Sequence, residues 1–172
     1  MERHITIPEK ILLVLLTAIL VFMIVHDWIP MGSLNDLEGI RAENTIGELL
    51  FTTLFNTISI GIVLFLAYWF RGRIYPLWVK AWLIIHPCFI FAGALKAWWI
   101  PYFTGADDAA LKRYETMFAN THHFLPEING FSVNTIHAVF HATLLTCIFL
   151  IVFIVVSQLM KQYKTRTSGK AL

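Results

Sequence analysis

Charge is what this sequence has least of. Only 14% of its 172 residues are Asp, Glu, Lys or Arg, against roughly 25% in an ordinary soluble domain. With 58% hydrophobic residues beside so little charge, the chain does not fit a water-soluble globule. Cysteine is scarce as well. Cys88 and Cys147 are the only two and form no C-x-x-C pair, which argues against thiol oxidoreductase chemistry of the quinone-coupled kind. Both read as packing residues within apolar runs. The sequence also lacks an internal repeat, a low-complexity run, a Gly-rich phosphate loop and a G-x-S-x-G elbow. The net charge of +2 does not mark a nucleic-acid binder, because the basic residues are distributed as topology signals.

What the sequence does have is long apolar runs. Crossing a bilayer takes about 20 residues, and four segments reach that length: about Ile11 to Trp28, Ile46 to Phe70, Leu77 to Ile100, and Phe131 to Met160. The expected fold is an all-α integral membrane protein, a single domain over residues 1–172 built as a four-transmembrane-helix bundle. The first run follows a short charged stretch, MERHITIPEK, as a signal peptide would. No small-x-small cleavage site follows it, and it ends in VHDWIPMGS, so it reads as a retained helix.

The charges give an orientation. If four helices alternate, Arg3, Lys10, Arg71, Arg73, Lys80, Lys161, Lys164, Arg166 and Lys170 all fall on one side. The other side holds Arg41, Lys96, Lys112 and Arg113 and most of the acids, from Asp27 and Asp36 to Glu115 and Glu127. The positive-inside rule then predicts cytoplasmic termini and extracytoplasmic long loops. A bacterial plasma membrane is the expected location.

Those loops carry their own signals. The first, IPMGSLNDLEGIRAEN, is dense in turn formers and is expected to fold against the helix ends. In the second, Leu111, Tyr114 and Phe118 recur at helical spacing between Asp107 and Ala119, which predicts a short helix on the extracytoplasmic surface. Trp98, Trp99 and Tyr102 just before it read as an interfacial aromatic belt. The loop returns through Thr121-His-His-Phe to the last run.

Polar groups inside the spans are unfavourable in hydrocarbon, so they face the bundle interior and call for a functional reading. At about 100° per residue, Glu48, Thr52, Asn56 and Ser59 form one stripe about 80° wide on the second helix. On the fourth, Asn134, His137 and His141 cluster within about 60°. Structural explanations stand beside each. Glu48 completes a Thr45-x-x-Glu48 capping box, Asn56, Thr52 and Ser59 suit interhelical hydrogen bonds, and Lys96 can snorkel to headgroups.

Depth draws several histidines together. His26, His122, His137 and His141 are expected at similar levels in the outer part of the bundle, with Asp27 and Glu48 beside them. Imidazoles with leftover carboxylates suit zinc, copper or iron, and a His-x-x-x-His pair points both rings the same way from a helix. Such a site would be a metal-dependent enzyme's, with Glu48 or Asp27 relaying protons and a lipid or lipid-linked substrate entering from the outer leaflet. A second expectation makes His86 and His141, both near the midplane, the axial pair of a b-type haem, with His26 and His137 able to hold another. A third is a non-catalytic accessory subunit whose polar stripes join helices in a homo-oligomer or a larger membrane complex. Neither repeated halves nor broken helices point to a secondary transporter.

Overall fold

A computed structural model of the protein describes residues 4–168, so Arg3 and Lys170 lie outside the described residues. The described chain is helical: α1 (Ile7–Val25), α2 (Leu37–Glu43), α3 (Ile46–Trp69), α4 (Leu77–Ala94), α5 (Ile100–Thr104), α6 (Asp108–Phe118) and α7 (Thr135–Ser168). Among the described residues the β content is a single bridge, Ile128 to Phe131. It closes a tight turn at Asn129 and Gly130, both with positive φ. Four helical stretches are long and apolar enough to cross a membrane: α1, α3, the α4–α5 rod Leu77–Thr104, and Thr135–Thr165 of α7.

Local chemistry sets helix bounds that differ from the edges of the apolar runs. α1 starts at Ile7, ahead of Ile11, because the Glu9 carboxylate accepts from the Thr6 backbone N–H and hydroxyl, both at 2.8 Å, and Pro8 occupies the first turn. α7 starts at Thr135, after Phe131, because the Asn134 side chain accepts the His137 backbone N–H at 3.2 Å and caps the helix. The third rod runs past Ile100 to Thr104.

In the bundle α1 packs against α3 and α7, and α4 packs against α7 and, less extensively, α3. Leu12, Leu16, Ile19 and Met23 bury one stripe of α1 against Ile60, Val63 and Ala67 of α3, Val79 and Leu83 of α4, and Leu144, Cys147 and Ile151 of α7. The outward faces are equally apolar. Phe51, Phe55, Ile58 and Phe65 of α3 are exposed, as expected of helices whose solvent is hydrocarbon.

The two ends of the bundle are stapled differently. At the end where α1 begins and α7 finishes, the tail end, Glu9 is 1% exposed and its other oxygen accepts the Gly72 N–H at 3.3 Å. Gln158 of α7 accepts the Tyr75 N–H at 2.9 Å and donates to the Arg73 carbonyl at 3.3 Å. Both side chains therefore hold the α3–α4 turn. At the opposite end, the cap end, α2 packs on α6 and a second apolar cluster forms from Ile40, Leu49, Tyr102, Tyr114, Phe118, Phe131 and Val133. Asp36 caps α2 through the Glu38 and Gly39 N–H groups and accepts from Asn120 at 2.9 Å. These bonds, that to Gly39 foremost, hold its carboxyl below the ordinary carboxylate range.

Candidate functional site

The cap end of α4 is where the helix geometry changes. Leu95–Trp99 forms a π turn, and the Ile100 N–H reaches back to the Leu95 carbonyl across five residues. Pro101 follows directly in α5. A proline ring clashes with the carbonyl four residues before it and offers no N–H, and a widened turn relieves that clash. π turns are frequent at functional sites, and this one brings two indoles against α7. The Trp98 ring stacks on His137 with centroids 4.2 Å apart, and Trp99 Nε1–H donates to His141 Nδ1 at 3.2 Å. Trp98 also touches Phe118 of α6 at 5.1 Å, and Tyr102 is buried. The aromatic residues expected at the headgroups are therefore largely turned into the protein.

His26 completes the cluster from the end of α1. Its ring stacks on Phe22 at 4.3 Å and meets His137 edge-on at 5.9 Å. His137 and His141 lie 6.2 Å apart. Asn35 holds this corner: its amide donates to the carbonyls of His26, at 2.7 Å, and Ile29, at 2.9 Å, and its oxygen accepts the Met31 N–H at 2.8 Å.

Hydrogen-bond partners decide which imidazole nitrogens are free. Asn134 Oδ1 accepts the His137 backbone N–H, so it is the oxygen of that amide, and it stands 2.6 Å from His137 Nδ1. An oxygen that only accepts requires the proton on Nδ1, which leaves Nε2 as the lone pair of the neutral ring. His26 is set the same way, with Nδ1 2.9 Å from the Phe22 carbonyl. Its Nε2 lies 3.3 Å from Asp27 Oδ1, and both residues are buried. A lone pair facing a carboxylate needs a proton or a cation between them. His141 is set the opposite way: its Nδ1 accepts from Trp99, so the proton sits on Nε2. Asn134 is 1% exposed, and its Nδ2 has no hydrogen-bond partner.

The remaining sequence-derived candidates lie elsewhere. His122 is exposed; its backbone N–H donates to the Ser33 carbonyl, and its Nδ1 stands 2.7 Å from Thr135 Oγ1. Glu48 is exposed and closes its capping box, accepting the Thr45 N–H and hydroxyl, each at 2.8 Å. His86 Nε2 is 2.7 Å from Ser59 Oγ, and its ring stacks on Trp82 at 5.0 Å. His86 and His141 thus each use a nitrogen on a neighbouring helix. Among the described residues no three His, Cys, Asp or Glu side chains come together as a ready metal-binding group. His26 touches both Asp27, at 3.3 Å, and the His137 ring, at 5.9 Å between centroids. Trp98, Trp99, Phe22 and Phe118, which surround the imidazoles, were not marked as site residues by spacing or charge. The sequence marked Trp98 and Trp99 as interfacial and Phe118 as helically spaced, and Pro101 close behind the indole pair could have pointed to the widened turn.

No known protein family matches the chain, and no curated protein or solved structure matches it significantly.

Proposed function

We propose that this multi-pass protein binds a divalent transition metal ion (zinc, copper or iron) at its cap end through His26 Nε2 and His137 Nε2, with Asp27 as third donor. The observation that carries this reading is the pair of imidazoles whose Nδ1 atoms are each held against an oxygen, Phe22 O and Asn134 Oδ1. Metal-ligating histidines are oriented in this way, by an acceptor on the far nitrogen. Spacing supports it. Two donors about 2.1 Å from one tetrahedral ion stand about 3.4 Å apart, and His26 Nε2 and Asp27 Oδ1 are 3.3 Å apart. Two imidazoles on such an ion have ring centroids about 5 Å apart, so the 5.9 Å between His26 and His137 requires a rotamer adjustment of under about 1 Å. His141, tethered to Trp99, packs the far side, and His122 stands apart from the donor set.

Arg71, Arg73, Lys80, Lys161 and Lys164 gather at the tail end, which favours cytoplasmic termini and an extracytoplasmic cap end in a bacterial plasma membrane. On this reading α6 belongs to the second extracytoplasmic loop. A metal ion with an open position lowers the pKa of bound water to about 7, and such a site would act on a lipid or lipid-linked substrate of the outer leaflet. Elemental analysis of detergent-purified protein tests the binding. Stoichiometric metal in wild type, lost in both His26→Ala and His137→Ala and retained in His122→Ala, is expected. Metal-free wild type that takes up none on titration with zinc, copper(II) or iron(II) refutes the proposal.

A further inference from the structure

The α4–α5 rod is the least covered of the four spans. Within its most apolar window 11% of residues are buried, against 28% for α1, 28% for α3 and 39% for α7. The seam between α3 and α4 is tied at Ser59 and His86, and it is open on the cap side of that bond. At about 100° per residue, Asn56 points within about 40° of Leu49, Ile60, Val63 and Ala67, the inward face of α3. Yet Asn56 is only half-buried and Thr52, one turn further on, is exposed. Across the seam Gly93 and Ala97 are exposed, and a Cβ added at Gly93 would meet nothing within 4 Å. The inward face of α3 thus lacks a cover at this level, and neither Asn56 nor Thr52 has a side-chain hydrogen bond among the described residues.

We infer that a second copy of this chain covers this seam, forming a two-fold dimer through α3 and α4. Charge selects the occupant. Lys96 is exposed in the π turn that follows α4, and no acidic group pairs with it among the described residues. Glu48 is exposed near the cap-end start of α3. A two-fold contact repeats each pairing in reverse, so Lys96 of each copy is set toward Glu48 of the other, whose carboxylate also caps α3 through Thr45 and feels Arg113. An anionic lipid would satisfy Lys96 but would face Glu48. Asn56 also lies eight residues beyond Glu48, about 12 Å deeper along the helix, below the reach of a headgroup. Its amide both donates and accepts, so it is self-complementary across a two-fold. Small residues such as Gly93 and Ala97 let helix backbones approach closely in hydrocarbon, where packing and polar contacts drive association.

The dimer does not depend on the metal reading. The test counts photobleaching steps of a single fluorescent tag on the full chain in lipid nanodiscs loaded at dilute protein. Wild type is expected to bleach in two steps. Gly93→Leu fills open space and leaves the monomer's packing untouched; Lys96→Glu places like charges opposite each other. Each is expected to lower the dimer-to-monomer ratio about tenfold or more with the melting temperature of the monomer unchanged. Single-step bleaching of wild type, more than two steps, or a dimer that persists in both variants overturns the inference.

Discussion

Replacing Gly39 with Ala sets two physical effects of opposite sign against each other. Gly39 lies within α2, and by helix propensity alone Gly→Ala stabilises by up to about 1 kcal/mol. The cap end imposes a stronger constraint. A Cβ at Gly39 would sit 2.4 Å from the Thr116 carbonyl oxygen and 3.1 Å from both Cα and carbonyl oxygen of Met117, all backbone atoms of α6. No side-chain rotation relieves such contacts, so α2 must withdraw from α6 by a sizeable fraction of an ångström. Overpacking of this kind costs about 1–3 kcal/mol, and the neighbours Ile40 and Phe118 belong to the same apolar cluster. The expected net result is destabilisation by about 1–2 kcal/mol, or a melting temperature lower by several degrees at about 2–4 °C per kcal/mol for a chain of this size. Gly61→Ala is the control, since Gly61 lies inside α3 and a Cβ there meets nothing within 4 Å. It should hold or raise the melting temperature. Thermal unfolding of both variants in one detergent decides the matter. If Gly39→Ala melts at or above wild type, the close approach of α2 to α6 is wrong, and with it the packing of Phe118 against Trp98 and His137.

Asn35→Asp keeps the acceptor for the Met31 N–H and removes both donors, to His26 O and Ile29 O. At about 1 kcal/mol per bond it should destabilise by about 2 kcal/mol and weaken the proposed metal binding by loosening His26; an unchanged midpoint of unfolding in chemical denaturant would contradict the role given to Asn35. Burial pushes the Tyr114 phenol up from 10.0 to about 12, with its bond to Ser132 opposing. Between those pH values the folded chain holds a proton that the unfolded chain has lost, so stability present below pH 10 falls as pH rises through 12, by at most about 3 kcal/mol. Tyr114→Phe should flatten that alkaline limb of a stability–pH curve. His123 behaves in the opposite sense. Desolvation, reinforced by His122, lowers its pKa below 6.5. The unfolded chain therefore binds the proton more readily, and stability is lost as pH falls below about 6.5; an identical acid limb in His123→Gln would count against this.

The spans were legible in the sequence because hydrocarbon demands length and apolarity, and Ile46–Trp69 begins where its Thr45-x-x-Glu48 box indicates. Which face of each span looks inward was not legible. Leu12, Leu16, Ile19 and Met23 are buried, while Val14, Val21 and Ile24 of the same helix are exposed, and nothing in their chemistry separates the two sets when lipid replaces water. The periodicity of Leu111, Tyr114 and Phe118 located α6, but not what its apolar face covers. Tyr114 packs at 4.1 Å on Phe131, and Phe118 at 5.1 Å on Trp98, partners set by a π turn that propensity does not announce.

The histidine pair of α7 shows where local reasoning stops. Spacing of four residues aims His137 and His141 to one side of the helix, and their centroids lie 6.2 Å apart. A ligand, however, is a lone pair on a particular nitrogen. That nitrogen is chosen by whatever the other ring nitrogen meets. At His137 it meets Asn134 Oδ1, an acceptor fixed in that orientation by capping the very helix that carries the ring. At His141 it meets Trp99 Nε1–H, a donor delivered by another helix. The first partner lies three residues away and follows from capping rules; the second depends on the widened turn ahead of Pro101. The same two rings are therefore inequivalent. His137 keeps its proton on Nδ1, with its ring edge-on to His26, and His141 accepts at Nδ1 instead. The double variant Trp99→Phe, Asn134→Ala should erase much of that difference, because it removes the donor from one ring and the acceptor from the other; imidazole 15N shifts that still report opposite tautomers at His137 and His141 would contradict this.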